Sequence, residues 1–206
     1  MACAESSASH GRPNLRRCDR SRDRPGGLSV RQRIHIGFDL TLLTTVVQHR
    51  TPWLDDVMVF VSTIGNGGAV WVTLGFIGLI FTERRPASWR LLLTLFCTYL
   101  VVELALKGLI GRERPFNTLP NLQLIADRPL SSSFPSAHAA LGFAGAIAGS
   151  RVVPTAGWIL WPLAVLVAAS RVYLGVHWPT DVVFGSLMGC ACAWFVLGGK
   201  QSALSA

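Results

Sequence analysis

Five long apolar runs occupy most of the chain between residues 68 and 198. They cover residues 68–82, 91–106, 139–149, 156–169 and 182–198. A hydrocarbon core needs about 20 helical residues to cross it, so runs of these lengths can span a bilayer together with their flanks. Lipid cannot satisfy backbone polar groups, which favours helices. We therefore predict an all-α, multi-pass transmembrane helical bundle with about five to six spans.

The segments before these runs carry more charge. Residues 34–48 and 53–64 have apolar residues at mixed helical spacing, interrupted by charged residues such as Asp39, Arg50 and Asp55. A charged side chain at the bilayer centre costs about 2.5 to 3.5 kcal/mol on insertion scales. These two segments are therefore predicted to be interfacial amphipathic helices.

Much of the net charge of +8 lies in the first 35 residues, among Ser, Pro and Gly. The basic residues there are Arg12, Arg16, Arg17, Arg20, Arg22, Arg24, Arg31 and Arg33. Such composition cannot bury enough apolar surface to fold, so residues 1–35 are predicted to be a disordered tail. A basic arm can also contact anionic lipid or nucleic acid, but a solvated tail is the simpler interpretation and no nucleic-acid partner is expected. Residues 36–199 then form one membrane domain, and residues 200–206 a short tail.

The first polar segment that needs explaining follows the second apolar run. Lys107 and Arg114 are seven positions apart, about two helical turns, so one face could present both cations to a single anion. Pro115 then disfavours helix at Arg114 and turns the chain. The alternative is that Lys107 reaches to the membrane interface while Arg112, Glu113 and Arg114 form a solvated loop.

The second polar segment, residues 133–138, precedes the third run. Pro135 and Ser136 resemble a helix start, where free backbone N–H groups and the helix dipole favour an anion. His138 would lie within the first turn of this helix. By itself this pattern is also an ordinary helix start with an interfacial histidine.

The third polar segment joins the last two runs and contains Arg171, His177 and Asp181. If a helix begins near Pro179, His177 and Asp181 are about one turn apart, and the carboxylate can hold the imidazole in one tautomer. That is the arrangement of a nucleophile and its orienting group. Asp181 could instead only cap the helix, which would leave Arg171 and His177 unexplained.

Together the three segments resemble the signature motifs of the type 2 phosphatidic acid phosphatase family, which read KxxxxxxRP, PSGH and SRxxxxxHxxxD. Order and internal spacing agree in all three, and the resemblance extends over residues 53–198. One position departs from the pattern, because Ala137 stands where the family usually has Gly. A methyl group there could crowd a bound phosphate, which affects the expected rate or substrate choice rather than the mechanism.

The resemblance implies a metal-independent lipid phosphate phosphatase with no cofactor. His177 would attack phosphorus to give a phosphohistidine, with Asp181 fixing its tautomer, and His138 would act as general acid and then base. The phosphate would be held by three cations and a hydroxyl, from Lys107, Arg114, Arg171 and Ser136. No metal ligand is expected, because three fixed cations can replace a metal ion.

A site at the mouths of spanning helices suits a lipid whose phosphate lies at headgroup level. The expected substrates are an isoprenyl diphosphate or monophosphate, phosphatidic acid or phosphatidylglycerol phosphate. The alternatives are a lipid phosphotransferase with the same histidine intermediate and a non-catalytic, anion-binding membrane scaffold. The soluble vanadium-dependent haloperoxidases share the cation and histidine set, but the apolar runs disfavour that interpretation.

Charge in the short loops predicts the orientation of the chain. Arg84, Arg85, Arg90, Arg151 and Lys200 would all lie on one side of the membrane. Short loops rich in Lys and Arg remain cytoplasmic, which places the three polar segments on the extracytoplasmic face of the cell membrane. The arginine-rich tail opposes this assignment for an odd number of spans, but long tails count less than short loops.

Overall fold

The computed structural model describes residues 30–119, 121–126 and 128–198. The predicted tails up to residue 29 and over 200–206, with Lys200, lie outside the described residues. The helices are α1 (Val30–Gln48), α2 (Pro52–Ile64), α3 (Ala69–Ile80), α4 (Arg85–Tyr99), α5 (Lys107–Ile110), α6 (Pro115–Thr118), α7 (Ala137–Val152), α8 (Gly157–Tyr173) and α9 (Pro179–Gly198). Helix α1 thus begins inside the stretch expected to be a disordered tail.

Each of the five apolar runs is helical, which confirms the all-α class. Helix α4 continues through a π-helical segment, Leu100–Leu106, directly into α5. Segments of π-helix are rare and are frequently found at functional sites. Here the π-helical segment carries Glu103 and ends just before Lys107.

Three helical segments are long and apolar enough to cross a membrane within the described residues: Thr82–Thr118, Pro154–Tyr173 and Pro179–Gly198. A fourth crossing results if α2 and Asn66–Ile80, bent by 44° relative to each other, form one broken span. Helix α3 has only 12 residues, about 18 Å of helix, so it cannot cross a bilayer alone. If the bent pair is one span, α2, expected to be interfacial, contributes to it.

Helix α7 forms the centre of the bundle and packs against α3, α4, α8 and α9. Eleven of its 16 residues are buried, and most of these are Ala or Gly. Small residues allow the backbones of α7 and α9 to approach closely. A Cβ atom added at Gly189 would lie 2.1 Å from the carbonyl oxygen of Ala140, and one at Gly185 would lie 2.4 Å from that of Ser136. The close approach fixes the start of α9 against the start of α7.

The three polar segments meet at one end of this bundle. The amide of Ser136 donates to the carbonyl of Asp181 at 3.0 Å, and the amide of Ser133 donates to the carbonyl of Arg112 at 2.8 Å. The connection between α3 and α4 and the connection between α7 and α8 lie at the opposite end. Large apolar side chains, among them Phe76, Trp158 and Phe195, are exposed around the bundle, as expected for a surface that faces lipid.

Candidate active site

A cavity of about 600 Å³ opens at the end of the bundle where the polar segments meet. Its wall includes the predicted site residues Lys107, Arg114, His138, Arg171 and His177. Helix α2 and the loop before α7 supply most of the remaining wall, with Ser62, Asn66, Arg128 and Ser131 among its polar residues and Val59, Ile125 and Leu174 among its apolar ones. The cavity therefore combines several cations with a partly apolar wall.

His177 lies in the tight connection between α8 and α9 and is only 2% exposed. Gly175 makes this turn possible, since its φ of 78° lies in the left-handed region that residues with a Cβ atom rarely adopt. The amide of His177 then donates to the carbonyl of Arg171 at 3.2 Å. This turn sets the imidazole at the wall of the cavity with its two nitrogens in different surroundings.

The surroundings of the two ring nitrogens identify the tautomer. Nε2 of His177 lies 3.3 Å from Nη1 of Arg114, at the cavity. A guanidinium only donates hydrogen bonds, so Nε2 accepts and the proton of the neutral ring resides on Nδ1. Nδ1 lies 3.6 Å from Oδ2 of Asp181, beyond hydrogen-bonding distance but within reach of its charge. The lone pair of His177 is thus directed at the cavity.

The surroundings of His177 also favour its neutral form. Burial lowers the pKa of His177 from its usual 6.5 to about 4. Asp181 opposes this decrease in pKa, whereas the positive charges of Arg114 and Arg171 add to it. At neutral pH the imidazole is therefore uncharged, which is the state required of a nucleophile.

Asp181 is completely buried behind His177. Its Oδ2 accepts hydrogen bonds from Oγ of Ser133 and, at 2.9 Å, from the amide of Trp178. Its Oδ1 accepts from Nη1 of Arg112 at 2.5 Å. The alternative role of Asp181, capping the start of α9, is thus present together with its position behind the imidazole.

Lys107 and Arg114 approach the cavity by a different route from the one expected. Helix α5 ends at Ile110, Gly111 is left-handed and Arg114 is extended, so the two residues do not share a helix face. Both contact Ser131 instead: Nζ of Lys107 lies 3.2 Å from its Oγ, and Nε of Arg114 donates to its carbonyl at 2.8 Å. The loop before α7, through Ser131, therefore brings the two cations together.

The cations differ in how far their charge is compensated. Lys107 forms an ion pair with Glu103 at 2.5 Å. Within the described part of the chain, neither Arg114 nor Arg171 has a carboxylate within salt-bridge distance. Arg114 is held by neutral groups, including the carbonyl of Val176 at 2.8 Å, and Arg171 donates to Oγ of Ser62. Two buried positive charges at one cavity are suited to binding an anion.

The start of α7 lies at the same cavity as these cations. Ser136 occupies the position before the helix, so Pro135 lies outside the helix rather than at its first position. Oγ of Ser136 is buried and has no hydrogen-bond partner among the described residues. No described side chain caps α7, and Ala137 and His138, in its first turn, both line the cavity. The first amides of a helix are free to bind an anion.

Ala137 is only 8% exposed and packs with Val102 and Ala140. Its methyl group therefore lies in an apolar cluster at the edge of the cavity. The expected crowding of a phosphate by this methyl group stays a prediction.

At two residues of the site the structure differs from what the sequence predicts. The sequence predicts Asp39 to be a charge that interrupts an interfacial helix, yet it is fully buried and accepts hydrogen bonds from Thr180 and Arg112. One interpretation of the sequence places Arg112 in a solvated loop, yet it forms ion pairs with both Asp39 and Asp181 at 2.5 Å. The sequence feature that could have indicated the burial of Asp39 is its place as the single acidic residue in the otherwise uncharged stretch 36–48.

Comparisons with known proteins show which family this chain belongs to. Undecaprenyl-diphosphatase from Sulfolobus acidocaldarius is 35% identical over 156 residues, which cover 75% of this chain and 75% of that protein. Decaprenylphosphoryl-5-phosphoribose phosphatase from Mycobacterium tuberculosis is 33% identical, over 69% of this chain and 80% of that protein.

Solved structures have the same fold. The transmembrane PAP2-type phosphatidylglycerolphosphate phosphatase from Bacillus subtilis superposes with a TM-score of 0.65 at 27% identity, covering 81% of this chain and 86% of that chain. LpxE from Aquifex aeolicus gives a TM-score of 0.67 at 29% identity, covering 78% and 95%. The family model described as the PAP2 superfamily matches residues 87–203, more than half of the chain. This protein, a multi-pass membrane protein, therefore belongs to the PAP2 superfamily.

Proposed function

We propose that this protein is a lipid phosphate phosphatase that releases phosphate from a lipid phosphate or diphosphate through a phosphohistidine at His177. The observation that carries this proposal is the buried, neutral imidazole of His177, which has a carboxylate behind Nδ1 and a cationic cavity in front of Nε2. An anion-binding scaffold needs the cations but has no need of a histidine backed by a carboxylate.

The first chemical step transfers the phosphoryl group to the protein. Nε2 of His177 attacks phosphorus, the bond from phosphorus to the leaving oxygen breaks, and His138 donates a proton to that oxygen. The ring of His177 becomes positively charged, and the carboxylate of Asp181, 3.6 Å from Nδ1, stabilises that charge. The products of this step are the phosphohistidine and the leaving lipid, which is an alcohol if the substrate is a monophosphate and a lipid monophosphate if it is a diphosphate.

The second step hydrolyses the intermediate. His138, now deprotonated, accepts a proton from water as that water attacks phosphorus, and the bond from phosphorus to Nε2 of His177 breaks. Inorganic phosphate leaves and the neutral imidazole is restored. In both steps Arg114, Arg171 and Lys107 neutralise the non-bridging oxygens, and the first amides of α7 and the hydroxyl of Ser136 add hydrogen bonds.

A lipid substrate suits the position and lining of the cavity. Cations line one part of it, and Val59, Ile125 and Leu174 supply apolar wall beside them. A phosphate at headgroup level would contact the cations while its tail remains in the membrane. Among lipids we favour an isoprenyl diphosphate or monophosphate, with phosphatidic acid and phosphatidylglycerol phosphate next. The relatives that act on lipid-linked phosphates support this order.

The proposed orientation puts the cavity on the extracytoplasmic side of the cell membrane. Arg84, Arg85, Arg90 and Arg151 are all exposed and belong to the opposite end of the bundle. Basic residues in short connections favour the cytoplasm, which supports this orientation.

The test measures phosphate release by the purified full-length protein in detergent from polyprenyl diphosphate, phosphatidic acid and phosphatidylglycerol phosphate. Each substrate is assayed with and without EDTA and beside His177→Ala. We expect phosphate release by the wild-type protein that EDTA does not reduce, and none above background from His177→Ala. Equal turnover by the variant would remove the nucleophile. Transfer of the phosphoryl group to an added alcohol without free phosphate would identify a phosphotransferase instead.

A further inference from the structure

Asp39 is a completely buried carboxylate that lies outside the three polar segments. It is carried by α1, far from the other site residues in sequence. Its Oδ1 accepts a hydrogen bond from the amide of Thr180 at 2.9 Å, and its Oδ2 accepts from Oγ1 of Thr180 at 2.6 Å. Asp39 therefore fixes α1 to the first turn of α9. The contact is at Thr180, the residue before Asp181.

Arg112 connects Asp39 to Asp181. Its Nη2 lies 2.5 Å from Oδ2 of Asp39, and its Nη1 lies 2.5 Å from Oδ1 of Asp181. Nη1 also donates to Oγ1 of Thr180 at 2.7 Å. The planar guanidinium thus bridges two carboxylates with separate nitrogens, a geometry that the single ammonium of a lysine cannot reproduce.

Neither Asp39 nor Arg112 is among the described residues that line the cavity. The contact that links the pair to the proposed nucleophile is therefore the one from Arg112 to Asp181, which lies behind His177. The guanidinium of Arg112 also lies 5.5 Å from the centre of the Trp178 ring, next to His177 in the chain. These contacts leave Arg112 little freedom to move.

The charges of these three residues explain why two carboxylates are present. Arg112 alone would neutralise Asp181 and leave no net charge behind His177. With Asp39 the group of three carries a net charge of −1 when all are ionised. A negative charge is needed there when the ring of His177 becomes positive on phosphorylation, because an uncompensated charge in a buried site is costly.

We propose that Asp39 and Arg112 are a positioning pair that orients the carboxylate of Asp181 towards His177 and preserves one net negative charge behind the imidazole. The inference rests on the proposed function, since it requires His177 to become positively charged during turnover. It extends the site to α1, which precedes the segment matched by the PAP2 superfamily model.

The test is a double-mutant cycle on the full-length protein with Asp39→Asn, Arg112→Gln and the double variant. Assays use polyprenyl diphosphate in detergent micelles, well below the Tm of each variant. For each single variant we expect kcat to fall about 10- to 100-fold, as for other residues that orient a reacting group, while KM changes by less than about twofold. The double variant should lose little more than the worse single variant, because the two residues act in one chain of contacts.

Two matched controls distinguish the loss of positioning from a nonspecific effect of substitution in α1 or next to Arg112. Thr41→Ala changes an exposed residue of α1, and Glu113→Gln changes the exposed neighbour of Arg112. Both should retain wild-type kcat and KM. If Asp39→Asn does not yield folded protein, Arg112→Lys takes its place, since it keeps the charge but loses the two-nitrogen bridge; kcat should again fall at unchanged KM.

Three results overturn the inference. The first is wild-type kcat in folded Asp39→Asn or Arg112→Lys, and the second is a fall in kcat matched by a similar rise in KM. The third is a double variant whose loss equals the product of the single losses, which would mean that the two residues act independently. Failure of the proposed function is distinct from all three, because it would appear as turnover by His177→Ala.

Discussion

The carbonyl of Arg171 accepts hydrogen bonds from the amides of both Val176 and His177, each at 3.2 Å, so the two proposed site residues Arg171 and His177 share one turn. A cation and the proposed nucleophile are thus spaced by backbone geometry rather than by side-chain packing. Movement of this turn would displace both groups from the cavity together.

Gly175 should be essential to that turn. Its φ is 78°, and a Cβ atom there would lie 3.2 Å from Nη2 of Arg50 and from a methyl group of Leu122. Gly175→Ala should therefore lose about 1 to 2 kcal/mol of stability from backbone strain and reduce kcat by more than that loss explains. Gly67→Ala is the matched control, because Gly67 has a φ of 58° and no atom within 4 Å of an added Cβ. Equal kcat in the two variants would show that the turn does not control catalysis. Thermal unfolding and initial rates supply both measurements.

Asp181→Asn should impair both chemical steps. The amide cannot neutralise the positive ring of the phosphohistidine, so kcat should fall by about 100-fold or more while substrate binding persists. The pKa of His177 should fall below about 4, since Asp181 raises that pKa in the wild-type protein. Rapid-quench trapping of the phosphorylated protein measures the rate of its formation. An unchanged rate would mean that Asp181 does no more than cap α9.

Stability should depend on pH through His177. The pKa of this residue falls from 6.5 to about 4 on folding, chiefly because of burial. Between these pH values the unfolded chain binds a proton that the folded chain does not, so acidification favours unfolding. Relative to His177→Gln, the wild-type protein should keep its full stability above pH 6.5 and lose about 3 kcal/mol of it as the pH falls to 4. Parallel profiles of Tm against pH for the two proteins would contradict the assignment of the shift to His177.

The close approach of α7 and α9 should tolerate no added atom. A Cβ atom at Gly189 would lie 2.1 Å from the carbonyl oxygen of Ala140, which is backbone and cannot rotate away. Gly189→Ala should force the helices apart and lower the Tm, and it should reduce kcat because Asp181 and His138 move with their helices. Gly37→Ala, with nothing within 4 Å of the added Cβ, is the control and should leave Tm and kcat unchanged or slightly improved. A well-folded, fully active Gly189→Ala would show that the two helices can separate without moving the site.

Arg114→Lys should act as a severe substitution despite keeping the charge. Arg114 donates to the carbonyls of Ser131 and Val176, both at 2.8 Å, and also reaches Nε2 of His177. A lysine cannot make these contacts simultaneously, so the charge should lose its fixed position. We expect a fall of at least about tenfold in kcat/KM with little change in Tm. Arg128→Lys, at an exposed cation of the same cavity wall, is the matched control and should have a smaller effect.

The sequence by itself determined the helical class and predicted the residues that the structure brings together at one cavity. Apolar runs of nearly bilayer length leave helices as the solution for the backbone, and spacing alone placed Asp181 one turn after His177. Local rules also located the start of α9 at Pro179. Such features are set by interactions within a few residues, which is why they can be inferred without coordinates.

Only the tertiary structure decided how distant residues combine. Arg114 reaches the cavity through an extended loop held by Ser131, not along a helix face shared with Lys107. Asp39, 142 positions before Asp181, joins the site through Arg112. A charged residue in an amphipathic pattern has no local signature that separates burial with a partner from exposure to solvent. The difference arises from contacts formed when α1 packs against α9, and those contacts depend on the whole bundle.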